Sequence, residues 1–196
     1  LYDDIYSIGD NSSDYDWGHE VNAYYNGTVG SVNIDLNLDY FQNGNRDYST
    51  VKELSENYED RDVHSVGDVK NRLAAGKLVV SFPIGKGTFS VGSEVTYTHR
   101  NDDYLNEENY VPDSYSKLEE TNMAAFAEYN RSFSWGDWSL GMRYEHDKFD
   151  YFENDRHMDD QSRTFDNVFP NLSFSTKIGG IQTQLSYRKF PRFNSP

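Results

Sequence analysis

The residues best suited to binding chemistry lie in an acidic segment in the middle of the chain. Tyr104, Tyr110 and Tyr115 occur there among Asp103 and Asn109. Aromatic rings that stack and polar groups that form hydrogen bonds are suited to recognising a sugar. Ordinary packing within a loop would use the same residues. We therefore treat these five as candidate ligand-binding residues.

Acidic clusters offer a second kind of chemistry, because carboxylate oxygens are the ligands of Ca²⁺. Two clusters are present, formed by Asp10, Asp14 and Asp16 and by Asp155, Asp159 and Asp160. Neither cluster has the ligand spacing of an EF-hand loop. Charge runs of this kind are usually solvated loops, which is the simpler interpretation.

Catalytic motifs are missing. The chain contains no H-E-x-x-H and no G-x-S-x-G, and its histidines are scattered as His19, His64, His99, His146 and His157. The sequence Gly85-Lys86-Gly87 fits a hairpin turn better than a phosphate-binding loop. We therefore expect no catalytic residue, no bound metal, no cofactor and no enzymatic activity.

The composition narrows the class of protein. Of the 196 residues, 36% are hydrophobic and 16% aromatic, none is cysteine, and the formal net charge is −15. This charge argues against a nucleic-acid partner, and the aromatic content argues against a disordered chain. No run of about 20 apolar residues exists, which excludes a helical membrane protein. A membrane β-barrel remains open, because only alternate strand residues must be apolar there.

The strongest structural signal is the alternation in residues 31–41, SVNIDLNLDYF. Side chains alternate between the two faces of a strand, so this segment has one apolar and one acidic face. Seven further segments repeat the pattern more weakly. The predicted strands cover residues 19–25, 32–41, 72–82, 88–98, 122–133, 138–147, 171–177 and 181–190.

Short turns alternate with long acidic segments along the chain, at residues 42–70, 100–120 and 148–167. Soluble domains rarely contain such long loops, whereas outer-membrane barrels carry short turns at one rim and long loops at the other. The sequence thus predicts an all-β fold, an antiparallel up-and-down meander of about eight strands that forms part of a transmembrane β-barrel. The partial barrel would span residues 19–190, after a loop or remnant of a preceding strand (1–18) and before the start of another segment (191–196).

One face of this meander is predicted to contact outer-membrane lipid. Its members share the apolar phase of the alternation, and they are Val32, Ile34, Leu36, Leu38, Phe89, Val91, Val95, Leu140, Met142, Leu172, Phe174 and Leu185.

Several stretches resemble the barrel of TonB-dependent outer-membrane receptors of the Bacteroidetes type. They are KLVVSFPIGKGTFSVGSEVTYTHRNDDY (77–104), MAAFAEYNRSF (123–133), LGMRYEHDKFDY (140–151) and FPNLSFSTKIGGIQTQLSYRKF (169–190). The most specific piece is the G-x-R-Y-E strand at 141–145, followed after a loop by F-P-N-L-S at 169–173.

The resemblance implies a location in the outer membrane of a Gram-negative bacterium and a role in importing an oligosaccharide, a metal chelate or a cofactor. Such receptors have about 22 strands around a plug. The resemblance therefore implies that this chain is a middle part of the barrel, without the plug. The implied partners are lipid, the plug domain of the parent protein and an inner-membrane energy-coupling complex. Two alternatives remain open at this point. One is a soluble β-sandwich or open-sheet binding module, carbohydrate-binding or adhesin-like, and the other is a barrel that serves only as a scaffold.

Overall fold

The protein folds as a single antiparallel sheet in which each long strand pairs with the next long strand along the chain. The computed structural model describes residues 5–189. The strands are β1 (Ile5–Val29), β2 (Val32–Ser55), β3 (Arg61–Ile84), β4 (Gly87–Asn106), β5 (Ser114–Phe133), β6 (Gly136–Glu153), β7 (Arg156–His157), β8 (Arg163–Ile178) and β9 (Ile181–Arg188). The two-residue β7 pairs only with β6. The predicted antiparallel meander is therefore confirmed, and the sheet is open, with β1 and β9 at its edges.

No helix in the described residues is long and apolar enough to cross a membrane.

Two-residue turns join the strands at one end of the sheet, which we call the short-turn end. They are Gly30-Ser31, Gly85-Lys86, Ser134-Trp135 and Gly179-Gly180. Gly179 and Gly180 have φ values of 56° and 90°, a conformation that side chains with a Cβ rarely adopt. The predicted first strand, residues 19–25, ends too early. Pairing continues to Val29 and Val32, so Asn26 and Gly27 lie inside β1.

The long loops predicted at 42–70, 100–120 and 148–167 are wrong, because most of these residues belong to strands. The connections at that end are shorter: 56–60, 107–113, and 154–162 with β7 inside it. In the same way, the residues of segment 1–18 from Ile5 onward form β1 rather than a loop. The strands continue because backbone hydrogen bonds and polar cross-strand pairs hold them together where neither face is apolar. Residues 1–4 and 190–196, including the predicted following segment, lie outside the described residues.

The register places every apolar alternation on the same side of the sheet. Paired residues of antiparallel strands point to the same face, so the pairs Leu36–Leu78, Val80–Val91 and Leu140–Leu172 fix one surface. We call this surface the apolar face and the opposite surface the polar face. The apolar face carries all twelve residues that were predicted to share one side, namely Val32, Ile34, Leu36, Leu38, Phe89, Val91, Val95, Leu140, Met142, Leu172, Phe174 and Leu185.

Nothing in the described part of the chain covers the apolar face. Leu140 is 60% exposed and Leu185 is 73% exposed. Ala124 is the one buried hydrophobic residue among the described residues, and it lies on the polar face. The sheet therefore has no hydrophobic core of its own.

Aromatic rows border the apolar face at both ends. Near the short-turn end the row consists of Phe82, Phe89, Tyr129, Trp138 and Phe174. The ring centroids of Phe82 and Phe89 are 5.6 Å apart, and those of Trp138 and Phe174 are 4.8 Å apart. Tyr40, Tyr97 and Tyr144 lie at the other border, with apolar residues between the rows. Such rows are typical of strands that cross a membrane, whose interfaces favour Trp and Tyr.

Beyond the tyrosine row, an ion-pair cluster joins β2 to β3. Asp68, only 8% exposed, accepts hydrogen bonds from Arg46 Nη2 at 2.5 Å and from Lys70 Nζ at 3.1 Å. Burial raises the pKa of Asp68, but the bonds from Lys70 and Arg46 outweigh it and hold the pKa below its ordinary value. Such a carboxylate stabilises the folded state above its unfolded pKa of about 3.9, and this contribution is lost as the pH falls through the folded pKa.

We expect Asp68→Asn to loosen the pairing of β2 and β3 beyond the tyrosine row, because it leaves Arg46 and Lys70 without their carboxylate. Hydrogen exchange of these backbone amides should be faster than in the parent at neutral pH, and the difference should shrink below about pH 4. Asp102→Asn is the control, since Asp102 pairs with Arg100 on its own strand. Equal exchange in the two variants at neutral pH would contradict the proposed role of Asp68.

Candidate functional site

A charged cluster occupies the middle of the polar face. Glu94 on β4 accepts from Lys77 Nζ at 2.6 Å and from Arg143 Nη2 at 2.7 Å, so it bridges β3 and β6 across β5. Arg143 Nε also donates to Glu145 at 2.5 Å. Two acids and two bases are thus joined at the same depth as the apolar residues on the other face.

An aromatic ring lies beside this cluster because a glycine leaves room for it. The Phe126 ring crosses β4 at Gly92, where a Cβ would lie 2.3 Å from the ring. The cationic groups of Lys77 and Arg143 are 5.9 Å and 5.7 Å from the ring centroid. The ring and its glycine therefore help to fix the positions of both bases.

At two other places on the polar face, a carboxylate is partnered by an amide instead of a base. Asn26 donates to Asp35 at 3.1 Å, and Asn130 donates to Glu128 at 2.6 Å. Amide donors satisfy the oxygens without cancelling their charge, so this face keeps negative charge. A depression of about 600 Å³ lies here, lined by Asn26, Asn33, Ile34, Asp35, Asn37, Lys77, Val79 and Ser81.

The β4–β5 connection, residues 107–113, is organised by one buried side chain at the end opposite the short turns. Asn106 is 2% exposed, and its amide donates to the His64 carbonyl at 3.0 Å. Its side-chain oxygen accepts from the backbone N–H groups of Tyr110 and Val111 at 2.6 Å and 3.3 Å. The backbone N–H of Asn106 donates to Asp113 at 3.0 Å. We call the three connections at this end the rim.

The five candidate ligand residues do not all lie on the same side of the sheet. Asp103 and Tyr115 are register partners on the side that carries the apolar face, and they line a hollow of about 410 Å³ together with His99, Asn101, Ser116, Lys117, Phe152 and Asp155. Tyr104 points to the side of the polar face. Asn109 lies in the connection with φ 58°, and the Tyr110 ring lies 4.4 Å from the Arg61 guanidinium carbon.

One group of side chains within residues 5–189 has the spacing of metal ligands. His64, Glu107 and Glu108 each offer a ligand atom, and these atoms lie within 4.8 Å of one another. Sequence reasoning missed the group, because 44 residues separate His64 from Glu108. The described members of the two predicted acidic clusters are not brought together in this way.

The His64–Glu108 contact shifts the pKa of both residues. The hydrogen bond that His64 Nδ1 donates to the Glu108 carboxylate, 2.5 Å away, raises the pKa of His64. The backbone N–H of His64 and then its ring lower the pKa of Glu108. The rim is therefore locally acidic, and it favours positive charge beside these carboxylates.

A single antiparallel sheet with an uncovered apolar face, aromatic borders and a charged opposite face is the wall of a membrane-spanning β-barrel. The chain belongs to the outer membrane protein beta-barrel family, whose model matches residues 11–195. It therefore resides in the outer membrane of a Gram-negative bacterium.

Two solved structures match the chain at low sequence identity. The ferric preacinetobactin receptor BauA from Acinetobacter baumannii matches 86% of the chain with a TM-score of 0.55 and 11% identity. The ferric yersiniabactin uptake receptor FyuA from Yersinia pestis matches 88% of it with a TM-score of 0.47 and 13% identity. The chain spans 29% and 27% of these two proteins, respectively. No curated protein matches the chain.

We expect Asn106→Ala to loosen the 107–113 connection while the sheet stays folded. The substitution leaves the backbone N–H groups of Tyr110 and Val111 without their acceptor, and it removes the amide that donates to the His64 carbonyl. Limited proteolysis within 107–113 should become faster than in the parent. Asn45→Ala is the control, because the Asn45 amide bonds to the Asp16 side chain at 2.6 Å and not to a connection. Unchanged cleavage of Asn106→Ala would show that other contacts hold the connection.

Proposed function

We propose that the chain is a barrel segment of a TonB-dependent outer-membrane receptor that imports a nutrient ligand such as an oligosaccharide, a metal chelate or a cofactor. The fold shared with BauA and the sequence resemblance to such receptors support this function. The observation that carries it is the contrast between the two faces, because a transport barrel needs lipid on one side of its wall and water on the other.

The apolar face is the proposed lipid-facing surface, and the polar face lines the lumen. Glu94, Lys77 and Arg143 support this orientation, since they lie opposite the middle of the apolar face. A charged side chain that faces lipid at the bilayer midplane costs roughly 2–4 kcal/mol. In the opposite orientation the whole cluster would bear this cost, and the apolar residues would meet water.

In the proposed mechanism, the rim captures the ligand, and a plug in the lumen moves when the inner-membrane energy-coupling complex acts on it. The plug belongs to the parent protein, and this chain contributes wall, lumen lining and rim connections. Tyr104 is the candidate residue that faces the ligand path, because it lies on the side of the polar face. Asp103 and Tyr115 would lie outside the lumen and would not meet the ligand there. The proposed role is transport and not catalysis.

The alternative of a soluble β-sandwich or open-sheet module has less support. A sandwich buries its apolar faces against each other. In the described residues a single sheet is present, and Leu38, Met142 and Leu185 on its apolar face stay exposed. A soluble protein with this surface would aggregate.

The orientation predicts opposite outcomes for two neighbouring residues of β2. Leu36→Arg should block assembly in the outer membrane, because it places a charge on the lipid-facing surface at a cost of roughly 2–4 kcal/mol. Asn37→Arg should be tolerated, because it points into the water-filled lumen beside Lys77, its register partner. The measurement is the amount of heat-modifiable, folded barrel in outer membranes from cells that express the full-length parent.

The two variants control for each other, since both introduce Arg into the same strand. Equal amounts of folded barrel would contradict the orientation. Loss of folded barrel in Asn37→Arg, with Leu36→Arg unaffected, would mean that the orientation of the two faces is the reverse of the one proposed.

Capture at the rim predicts that the β4–β5 connection contributes to uptake. Replacing residues 107–113 by Gly-Ser-Gly in the parent should lower the uptake rate while the amount of folded barrel stays the same, since loops tolerate change better than strands. Uptake would be measured with labelled oligosaccharides, ferric chelates and corrinoids, with and without a protonophore.

The control replaces the short turn Gly85-Lys86 by Gly-Ser-Gly, because this turn lies at the opposite end of the sheet. If every transported ligand were taken up at the parental rate, residues 107–113 would not be part of the capture site. Uptake that resists the protonophore would contradict the energy-coupled mechanism.

A further inference from the structure

We propose that His64, Glu107 and Glu108 form a binding site for a divalent transition-metal ion of the Zn²⁺ class at the rim of the barrel. The site goes beyond the proposed transport function and does not depend on it.

Two separate parts of the fold bring the three ligands together. His64 lies near the start of β3, and both glutamates lie in the 107–113 connection. The backbone N–H of Glu107 donates to the His64 carbonyl at 3.2 Å, and Glu108 Oε2 accepts from the His64 backbone N–H at 2.9 Å. Buried Asn106 donates to the same carbonyl. The backbone that carries the ligands is therefore fixed without any ion.

The donor set fits one class of metal better than another. One imidazole nitrogen and two carboxylate oxygens are ligands of Zn²⁺, which keeps a fourth position for water or an external ligand. Ca²⁺ prefers six to eight oxygen ligands and no nitrogen. His64, Glu107 and Glu108 offer one ligand atom each, and these atoms lie within 4.8 Å of one another. Three ligand atoms fit the coordination of Zn²⁺ better than that of Ca²⁺.

A short hydrogen bond joins the His64 ring to the Glu108 carboxylate. Nδ1 and Oε1 are 2.5 Å apart, so a proton must lie between two electron-rich atoms. A metal ion can take over the role of that proton, as it does wherever a deprotonated ligand set binds metal. Ligand atoms of a tetrahedral Zn²⁺ ion, with bonds of about 2.0–2.1 Å, lie about 3.3 Å apart, so the two side chains must move apart by nearly 1 Å to admit the ion.

The surrounding charges favour a cation. Glu107 and Asp62 add negative charge around His64. Arg61, three residues before His64, is engaged with Glu53 at 2.6 Å and with the Tyr110 ring. Lys52 is the register partner of Asp62 on β2. A divalent ion would neutralise both glutamates and would clamp the β4–β5 connection to β3.

The test uses the full-length parent receptor, purified in detergent and stripped with EDTA. ZnCl₂ is titrated at pH 7.5 against a chromophoric zinc indicator. The parent should bind one Zn²⁺ ion more tightly than His64→Ala and Glu107→Gln do, by a factor of about ten or more, the range that lost metal-site partners usually show. Binding should also protect residues 107–113 from hydrogen exchange in the parent and not in His64→Ala.

Matched controls remove surface binding from the comparison. His146→Ala removes a histidine that also contacts one carboxylate, and Glu56→Gln removes a rim glutamate outside the site. Both controls should bind Zn²⁺ like the parent. Glu107→Gln tests the site even if His64→Ala fails to fold, because Glu107 is exposed and its backbone contact is kept.

Three results would overturn the proposal. One is equal zinc affinity in the parent and Glu107→Gln. Another is an equal loss of affinity in the controls. The third is a site that prefers Ca²⁺ and keeps its affinity in His64→Ala.

Discussion

The structure depends on one constraint, which is that no layer of protein within residues 5–189 covers the apolar face of the sheet. In a soluble domain, exposed side chains such as Leu140 and Leu185 would meet a second layer. In the proposed orientation lipid takes that place, and lipid imposes conditions on the rest of the structure. Backbone groups have no water to bind in the bilayer, so each strand must pair along its length. The continuous antiparallel ladder from β1 to β9 meets this condition for the interior strands.

The same constraint explains why charges gather on one side only. The wall is only one sheet thick, so Lys77, Glu94 and Arg143 lie at the same depth as the apolar residues of the other face. The three side chains pair with one another there. Beyond the tyrosine row the constraint disappears. Polar residues then occupy both faces, and ion pairs such as Arg46–Asp68 accompany the ladder. The strands continue as a rigid extension that carries the rim connections away from the lipid.

The sequence predicted those parts of the fold in which one face is apolar and the other is polar. The alternation from Val32 to Tyr40 predicted a strand with one apolar face, and the register confirms both features. It failed for residues 42–70, since a strand with two wet faces has no alternation to detect. The first predicted strand ended too early, at residue 25, because the pairing of Val29 with Val32 overrides the local turn preference of Asn26-Gly27. The cluster of His64 with Glu107 and Glu108 was out of reach, because the register that joins β3 to β4 is a long-range property.

The width of the barrel links the fold to the proposed function. The outer edges of β1 and β9 carry backbone groups that lipid cannot satisfy, so they must pair either with each other or with further strands. Closure of eight strands would leave an interior just wide enough for side chains. The Phe126 ring and the paired charges of Lys77, Glu94 and Arg143 would then fill it, and neither a plug nor a ligand would have a path. A receptor that imports a large nutrient therefore requires both edges to pair with other strands. Closure of this sheet on itself and the proposed transport function exclude each other.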